Sequence, residues 1–362
     1  MTVDHREATA GTAAVDTALR TFLAERRAGA AAIGEGYATA VADLEEYVLR
    51  GGKRVRPTFA WTGWLGAGGD PDGPTAPAVL RTCAALELLH ASALIHDDIV
   101  DASRTRRGFP AAHVAFADRH RERGWSGDPD AYGTGAALLV GDLALVWADD
   151  LVRTSGLPAD AMARVGPVWS AMRTEVLCGQ LLDLAAEARG DESADAALLK
   201  DRYKTASYTV ERPLHVGAAA AGADPGLVAA YRTFGADIGI AFQLRDDVLG
   251  VFGDPAVTGK PSGDDIREGK RTVLLATALR RADDRDPAAA RFLRSRIGTD
   301  VSEDDLDSVR AILVGLGAVA YVEREITRRR DRAVAVLERS AATRPARERL
   351  AAMALSATQR NR

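Results

Sequence analysis

Asp97, Asp98 and Asp101 close an apolar run that begins at Arg81, and Arg104, Arg106 and Arg107 follow at once. On a helix, Asp97 and Asp101 place both carboxylates on one face about one turn apart, with Asp98 about a quarter-turn round. Three like charges this close repel unless neutralised, and a hard divalent cation bound through oxygen does so. A row of solvated surface acids is the ordinary alternative. The apolar run behind them opposes it, because it aims the helix end at a protected cavity. Arg106-Arg107 before Gly108 reads as a basic fork folded back on the acids. Magnesium bridging diphosphate oxygens, with Arg giving bidentate hydrogen bonds, is the chemistry this pairing suits. Phe242-Gln243-Leu244-Arg245-Asp246-Asp247 repeats the acidic theme on a second apolar stretch. Two such clusters facing each other would hold a set of magnesium ions around one diphosphate.

The elements that must carry these residues read as helices. The chain is 47% hydrophobic and only 6% aromatic, rich in Ala, Leu, Glu and Arg, and strand signals are almost absent. The expectation is an all-α fold: a flexible lead over residues 1–14, then one domain over 15–362. Two helices are predicted from Val15 to about Arg50, broken at Gly34 and Gly36 and closed by Gly51-Gly52. Lys53, Arg54 and Arg56 follow before Pro57. Such a loop binds an anion or is merely solvated. Arg81–Asp101 forms one buried helix without Gly or Pro. Residues 108–134 read as an exposed excursion, in which His113 and His120 match no metal spacing. Ala136–Val152 is a packed helix with a break at Gly141-Asp142, and Asp149-Asp150 reads as a helix end. A long helix over Met162–Ala186 holds Glu175, Gln180 and Asp183. Thr258–Arg271 is a charged loop able to close over a site and exclude water. The remainder is helical and Arg-rich, and Arg328-Arg329-Arg330 reads as a solvated face.

A net charge of −4, from 47 basic and 51 acidic residues, gives no field for nucleic acid. Cys83 and Cys178 are read as buried packing residues in a reducing compartment. No signal-peptide layout and no membrane-spanning stretch is evident, so a soluble cytoplasmic protein is expected.

Five linked segments now carry a family resemblance: Gly51-Gly52-Lys53-Arg54-Val55-Arg56-Pro57, Asp97-Asp98-Ile99-Val100-Asp101 with Arg106-Arg107-Gly108, Lys204-Thr205, Phe242-Gln243 with Asp246-Asp247, and Gly259-Lys260 with Gly269-Lys270. In this order, over roughly residues 45–275, they resemble the trans-isoprenyl diphosphate synthases, or polyprenyl synthetases. The resemblance implies a single-domain isoprenoid-synthase bundle of long, mostly antiparallel helices around a central cavity, acting as a homodimer. It implies Asp97, Asp98, Asp101, Asp246 and Asp247 as the residues holding up to three magnesium ions. Lys53, Arg56, His90 and Arg107 would hold isopentenyl diphosphate. Arg106, Lys204, Lys260 and Lys270 would hold the allylic diphosphate, and Lys204, Thr205 and Gln243 would serve the developing cation. Gln180 and Asp183 would line the cavity, and Arg360 or Arg362 would help close it. The third acid of the second motif is Gly250 here, which leaves the metal stoichiometry open.

In this reading magnesium-assisted ionisation of the allylic diphosphate precedes attack by isopentenyl diphosphate, a 1'-4 condensation in a dry site. The growing tail would run back along the central helix. Ser92 and Leu89 lie about 7.5 and 12 Å from Asp97 along the axis. Ser92 and Ala93 are small where the family places a blocking aromatic for short products. Geranylgeranyl diphosphate is the expected product, and Ser92→Phe is expected to shorten it. Alternatives are a farnesyl or longer-chain synthase, a class I terpene cyclase, and a noncatalytic modulatory subunit.

Overall fold

The computed structural model describes residues 4–106, 108–254 and 262–359. In chain order the elements are α1 (Asp4–Ile33), α2 (Glu35–Leu49), α3 (Val55–Gly66), α4 (Ala76–Val100), β1 (Thr105–Arg106), β2 (Phe109–Pro110), α5 (Ala112–Glu122), α6 (Pro129–Arg153), α7 (Ala159–Arg189) and α8 (Ala194–Lys200). A π-helix (Asp201–Glu211) follows, then α9 (Arg212–Ala221), α10 (Pro225–Phe252), α11 (Asp264–Arg267), α12 (Val273–Arg285), α13 (Pro287–Arg296), α14 (Glu303–Gly315), α15 (Ala318–Glu338) and α16 (Arg344–Thr358). β1 and β2 form a short antiparallel pair, with Thr105 opposite Pro110. The all-α expectation therefore holds, and the Gly34 and Gly51-Gly52 breaks fall where the sequence puts them.

The chain forms two compact units. The first comprises residues 1–173, 212–228 and 341–349, the second 174–211, 229–340 and 350–362. In the first, α4 packs most extensively on α6, and α3 on α9. Leu19, Phe22, Leu23, Leu44, Leu86, Leu88, Leu89, Ile95 and Leu151 are fully or almost fully buried there. Each such side chain contributes about 1.5–3 kcal/mol of hydrophobic stabilisation. α3 and α9 approach so closely that a Cβ at Gly63 would sit 2.7 Å from the Leu214 carbonyl oxygen. The core of the second unit centres on Leu244, Val248, Leu274, Leu279, Leu306, Leu313 and Val322.

Several expectations need correction. Residues 4–14, read as a flexible lead, form the first turns of α1. The supposed excursion over 108–134 contains α5 and the start of α6; Phe116, Ala117 and His120 are buried on α5. His120 is held by Trp125 and Tyr132 and lies 3.1 Å from the Ser126 carbonyl oxygen. α6 runs unbroken through Gly141, where the His96 ring of α4 occupies the space a Cβ would need. Cys178 is exposed, whereas Cys83 is buried. Arg329 is not solvated: it is 12% exposed and pairs with Asp237 and Glu325. α4 is long and apolar enough to cross a bilayer by composition, yet 72% of its apolar window is buried in protein. That marks it as a core helix.

Candidate active site

In the first unit, α4 presents an accessible stripe. His90, Ala93, Asp97 and Asp101 recur at helical spacing and are each at least partly accessible, while Leu89 and Ser92 are 2% and 3% exposed. Asp101 caps the helix, its backbone N–H donating to the Asp97 carbonyl oxygen at 2.8 Å. Asp98 takes another course. Its side chain is fully buried, and its Oδ1 accepts from Arg106 Nε at 2.8 Å and from Arg106 Nη2. Arg106 Nη2 also donates to Asp97 Oδ2 at 3.2 Å. Arg106 of the basic fork folds back on the acids, through the β1–β2 return. This arginine binds the acids themselves, and Asp98 faces inward where the sequence groups it with the ion ligands. Burial pushes the Asp98 carboxyl up in pKa, and Arg106 opposes this without cancelling it. Asp98 Oδ2 is buried with no hydrogen-bond partner.

The loop before α3 also divides its cations. Lys53 is exposed and Arg56 half-buried, but Arg54 is 5% exposed and serves the core. It donates to Asp16 at 2.8 Å, Glu87 at 2.6 Å and the Val48 carbonyl oxygen at 3.1 Å.

In the second unit a polar network is built around the π-helix. This widened coil, a form frequent at functional sites, lies against glycines of two helices. A Cβ at Gly179 would fall 2.5 Å from Lys204 Cα, one at Gly235 2.8 Å from the Glu211 nitrogen, and one at Gly239 3.0 Å from the Ala206 carbonyl oxygen. Glycine there lets the backbone carrying Lys204 and Thr205 approach α7 and α10. Lys204 Nζ donates to Asp183 at 2.5 Å, so Asp183 sets the lysine's direction. Thr205 Oγ1 donates to Gln243 Oε1 at 2.9 Å, and Gln243 Nε2 donates to Asp247 Oδ1 at 3.0 Å. The structure thus brings Lys204, Asp183, Thr205, Gln243 and Asp247 into one network. Asp246 is half-buried, whereas Asp247 is 2% exposed with its Oδ2 unpartnered. Burial and then Asp201 push the Asp247 carboxyl well up. Lys270 pairs with Glu268 at 2.5 Å and Asp265 at 3.3 Å. Arg107, Lys260, Arg360 and Arg362 lie outside the described residues.

Sequence reading missed Lys200, Asp201 and Asp265. Lys200-Asp201 stands two residues before Lys204-Thr205, and Asp265 stands in a segment read only as a loop. Lys200 Nζ donates to the Arg271 carbonyl oxygen at 3.0 Å and lies 3.6 Å from Asp183. Burial pushes the Asp201 carboxyl from 3.8 to about 7, against the opposing charge of Lys200. A carboxyl raised on folding contributes stability at low pH and loses it as pH climbs from about 4 to about 7. Asp201→Asn is therefore expected to gain on the parent between pH 5 and 8, by several degrees of Tm. Melting curves at the two pH values that shift in parallel would contradict this.

The donor set fits magnesium. Among the described residues no three His, Cys, Asp or Glu side chains form an all-protein cage. Magnesium is instead commonly held by one or two carboxylates plus substrate phosphate and water. Asp97 with Asp101, and Asp246 beside the orphaned Asp247 oxygen, offer that number.

The polyprenyl synthetase family model matches residues 39–313, and the chain belongs to that family. The match runs through parts of both units. Geranylfarnesyl diphosphate synthase of Aeropyrum pernix is 34% identical over 280 residues, covering 76% of this chain and 80% of that protein. The crystal structure of a Corynebacterium glutamicum geranylgeranyl pyrophosphate synthase, complexed with isoprenyl diphosphate and magnesium, is 46% identical with a TM-score of 0.91. It covers 96% of this chain and 98% of that one. A decaprenyl diphosphate synthase of Rhodobacter capsulatus is 26% identical with a TM-score of 0.77, covering 99% and 98%. The names of these relatives span products of different length.

Proposed function

We propose that this chain is a head-to-tail prenyltransferase that condenses isopentenyl diphosphate with an allylic diphosphate and releases geranylgeranyl diphosphate. The observation that carries the reading is the pairing of Asp97 and Asp101 on one helix face, with Arg106 folded against Asp97 and its neighbour Asp98. In this reading Asp97, Asp101 and Asp246 take magnesium, up to three ions in all. When bound, the metal neutralises the leaving diphosphate so that the allylic C–O bond ionises. Lys53, Arg56 and His90 hold isopentenyl diphosphate, and Lys204 and Lys270 hold the allylic diphosphate. The Thr205–Gln243 dipoles face the cation without attacking it, because their hydrogen bonds fix a hydroxyl and an amide in place. The departing diphosphate takes the final proton.

A homodimer is part of the proposal. Leu138, Leu139 and Val146 of α6 are 45%, 67% and 56% exposed, an apolar face suited to a second copy. Light scattering that returns the mass of one chain would refute it.

The deciding experiment incubates the purified protein with magnesium, isopentenyl diphosphate and dimethylallyl, geranyl or farnesyl diphosphate. A linear twenty-carbon product supports the reading. A fifteen-carbon product, or one longer than twenty carbons, overturns its product, and no elongation or a cyclic hydrocarbon overturns its chemistry. The structure also moves the length-setting test by one residue. Ala93 shares the Asp97 stripe about 6 Å upstream, whereas Ser92 is buried. Ala93→Phe is expected to shift product towards fifteen carbons. Ser92→Phe instead overpacks the core at about 1–3 kcal/mol, so its expected product change comes with lost stability. An unchanged product from Ala93→Phe would remove Ala93 from the tail path.

A further inference from the structure

We propose that Lys200 is a positioning residue, a fixed counter-charge for Asp183 that lets Lys204 leave that carboxylate and turn to the allylic diphosphate. This rests on the prenyltransferase reading above and deepens it, because Lys200 stands behind the lysine given to that substrate. Two lysines share Asp183. Lys204 Nζ donates to its Oδ2 at 2.5 Å, and Lys200 Nζ lies 3.6 Å from its Oδ1. The two are not equivalent. The Lys204 side chain is 23% exposed and rides on the π-helix, whereas that of Lys200, the last residue of α8, is 11% exposed. Lys200 is also tied from its other side, its Nζ donating to the Arg271 carbonyl oxygen at 3.0 Å. Lys204 is therefore the lysine with room to turn, and Lys200 is the one held in place.

A carboxylate this close neutralises the ammonium that a diphosphate needs. The fraction of molecules in which Lys204 is available scales the apparent affinity for the anion. A second cation beside Asp183 raises that fraction, because Asp183 keeps a partner when Lys204 departs. Lys200 meets the two requirements of such a partner. It stays charged: burial alone would lower its proton affinity, but Asp201, Asp183 and Asp247 outweigh burial. It also stays put, since the Arg271 carbonyl and its own burial leave it no course to solvent. Charges a few ångströms apart and withdrawn from water interact strongly and are little screened by salt. A lysine that merely satisfied the fold would hold Asp183 equally well, but its loss would not discriminate between the two substrates.

A double-mutant cycle with Asp183 reads this through the KM for whichever allylic diphosphate the parent elongates, with the KM for isopentenyl diphosphate and Tm measured alongside. Lys200→Met is expected to raise the allylic KM on the order of ten-fold, the lower end of what close, desolvated charge pairs contribute. The isopentenyl KM is expected to stay at its parental value. Asp183→Asn removes the competitor for Lys204, so in that background Lys200→Met is expected to move the allylic KM by less than about three-fold. A rise below about three-fold in the parent background overturns the proposal. So does an equal rise in both backgrounds, which would place the effect of Lys200 at the Arg271 carbonyl or at Asp201. A lowered Tm with both KM values unchanged marks a purely structural lysine and overturns it as well. Should Lys200→Met fail to fold, Lys200→Gln, which keeps a donor for the Arg271 carbonyl, takes its place in the cycle under the same criteria. A parent that elongates no allylic diphosphate removes the prenyltransferase reading and Lys200's role together. Elongation by the parent with a flat cycle removes the role of Lys200 alone.

Discussion

Asp97→Asn is expected to lower kcat by on the order of 10³-fold, about 4 kcal/mol of barrier, with little change in folding stability. Asp97 is half-buried on the accessible stripe of α4, four residues before Asp101, and its Oδ2 accepts from the outer nitrogen of Arg106 at 3.2 Å. Asparagine preserves the shape and removes the charge that a hard cation requires. The same change at Asp98 should behave differently. Asp98 is fully buried and accepts two of the Arg106 donors, so Asp98→Asn leaves a guanidinium without its main partner. Its dominant effect is expected on Tm, with a secondary loss of activity as Arg106 drifts from Asp97. Steady-state rates, magnesium titrations and melting curves on the two variants make the comparison. A kcat within about ten-fold of the parent for Asp97→Asn would remove Asp97 from the metal-binding set.

That contrast marks how far spacing alone could carry the reading. The i, i+4 relation of Asp97 and Asp101 is a property of helical geometry, legible once the segment is read as helix. The same rule places Gln243 over Asp247, and the hydrogen bond between them follows it. The inward turn of Asp98 depends on where the β1–β2 return delivers Arg106, which no local pattern encodes. Gly250 was visible as a missing acid, but Asp265 lies fifteen residues on, and only tertiary packing sets it against that glycine. The π-helix was hidden for a similar reason. Its residues carry no distinctive periodicity, and the glycines that admit it lie on α7 and α10. α5 was overlooked because its exposed face is densely charged, so few apolar residues reveal its period, although Phe116, Ala117 and His120 are buried. Arg329 illustrates the opposite error. A run of three arginines reads as a solvated face, yet the helix turns the middle one towards Asp237.

Arg54→Ala is expected to cost about 3–5 kcal/mol of stability, the range for stranding one member of a buried ion pair. Arg54 is 5% exposed, and its partner Glu87 sits within α4 at 7%. Burial alone would depress the guanidinium's proton affinity, but Glu87 and Asp16 more than offset this and hold it charged. Removing it leaves the Glu87 carboxylate inside the core, frees Asp16 of α1 and unpins the end of α2 at the Val48 carbonyl. A second substitution isolates the cause. Arg54→Met with Glu87→Leu discards both charges and is expected to recover most of the loss, because a well-packed apolar pair needs no compensation. The backbone supplies a third arm. Arg54 has φ 46°, a left-handed conformation costing a non-glycine residue about 1–2 kcal/mol. Arg54→Gly should therefore be less damaging than Arg54→Ala despite losing the same hydrogen bonds. The effect reaches function through chain continuity, since Lys53 and Arg56 flank the anchored residue. Variants that fold without the Arg54 anchor are expected to show a raised KM for isopentenyl diphosphate at a better-preserved kcat, as the loop loses its fixed geometry. Denaturation midpoints and KM that stay at parental values in Arg54→Ala would show that the buried pair neither supports the fold nor holds the loop.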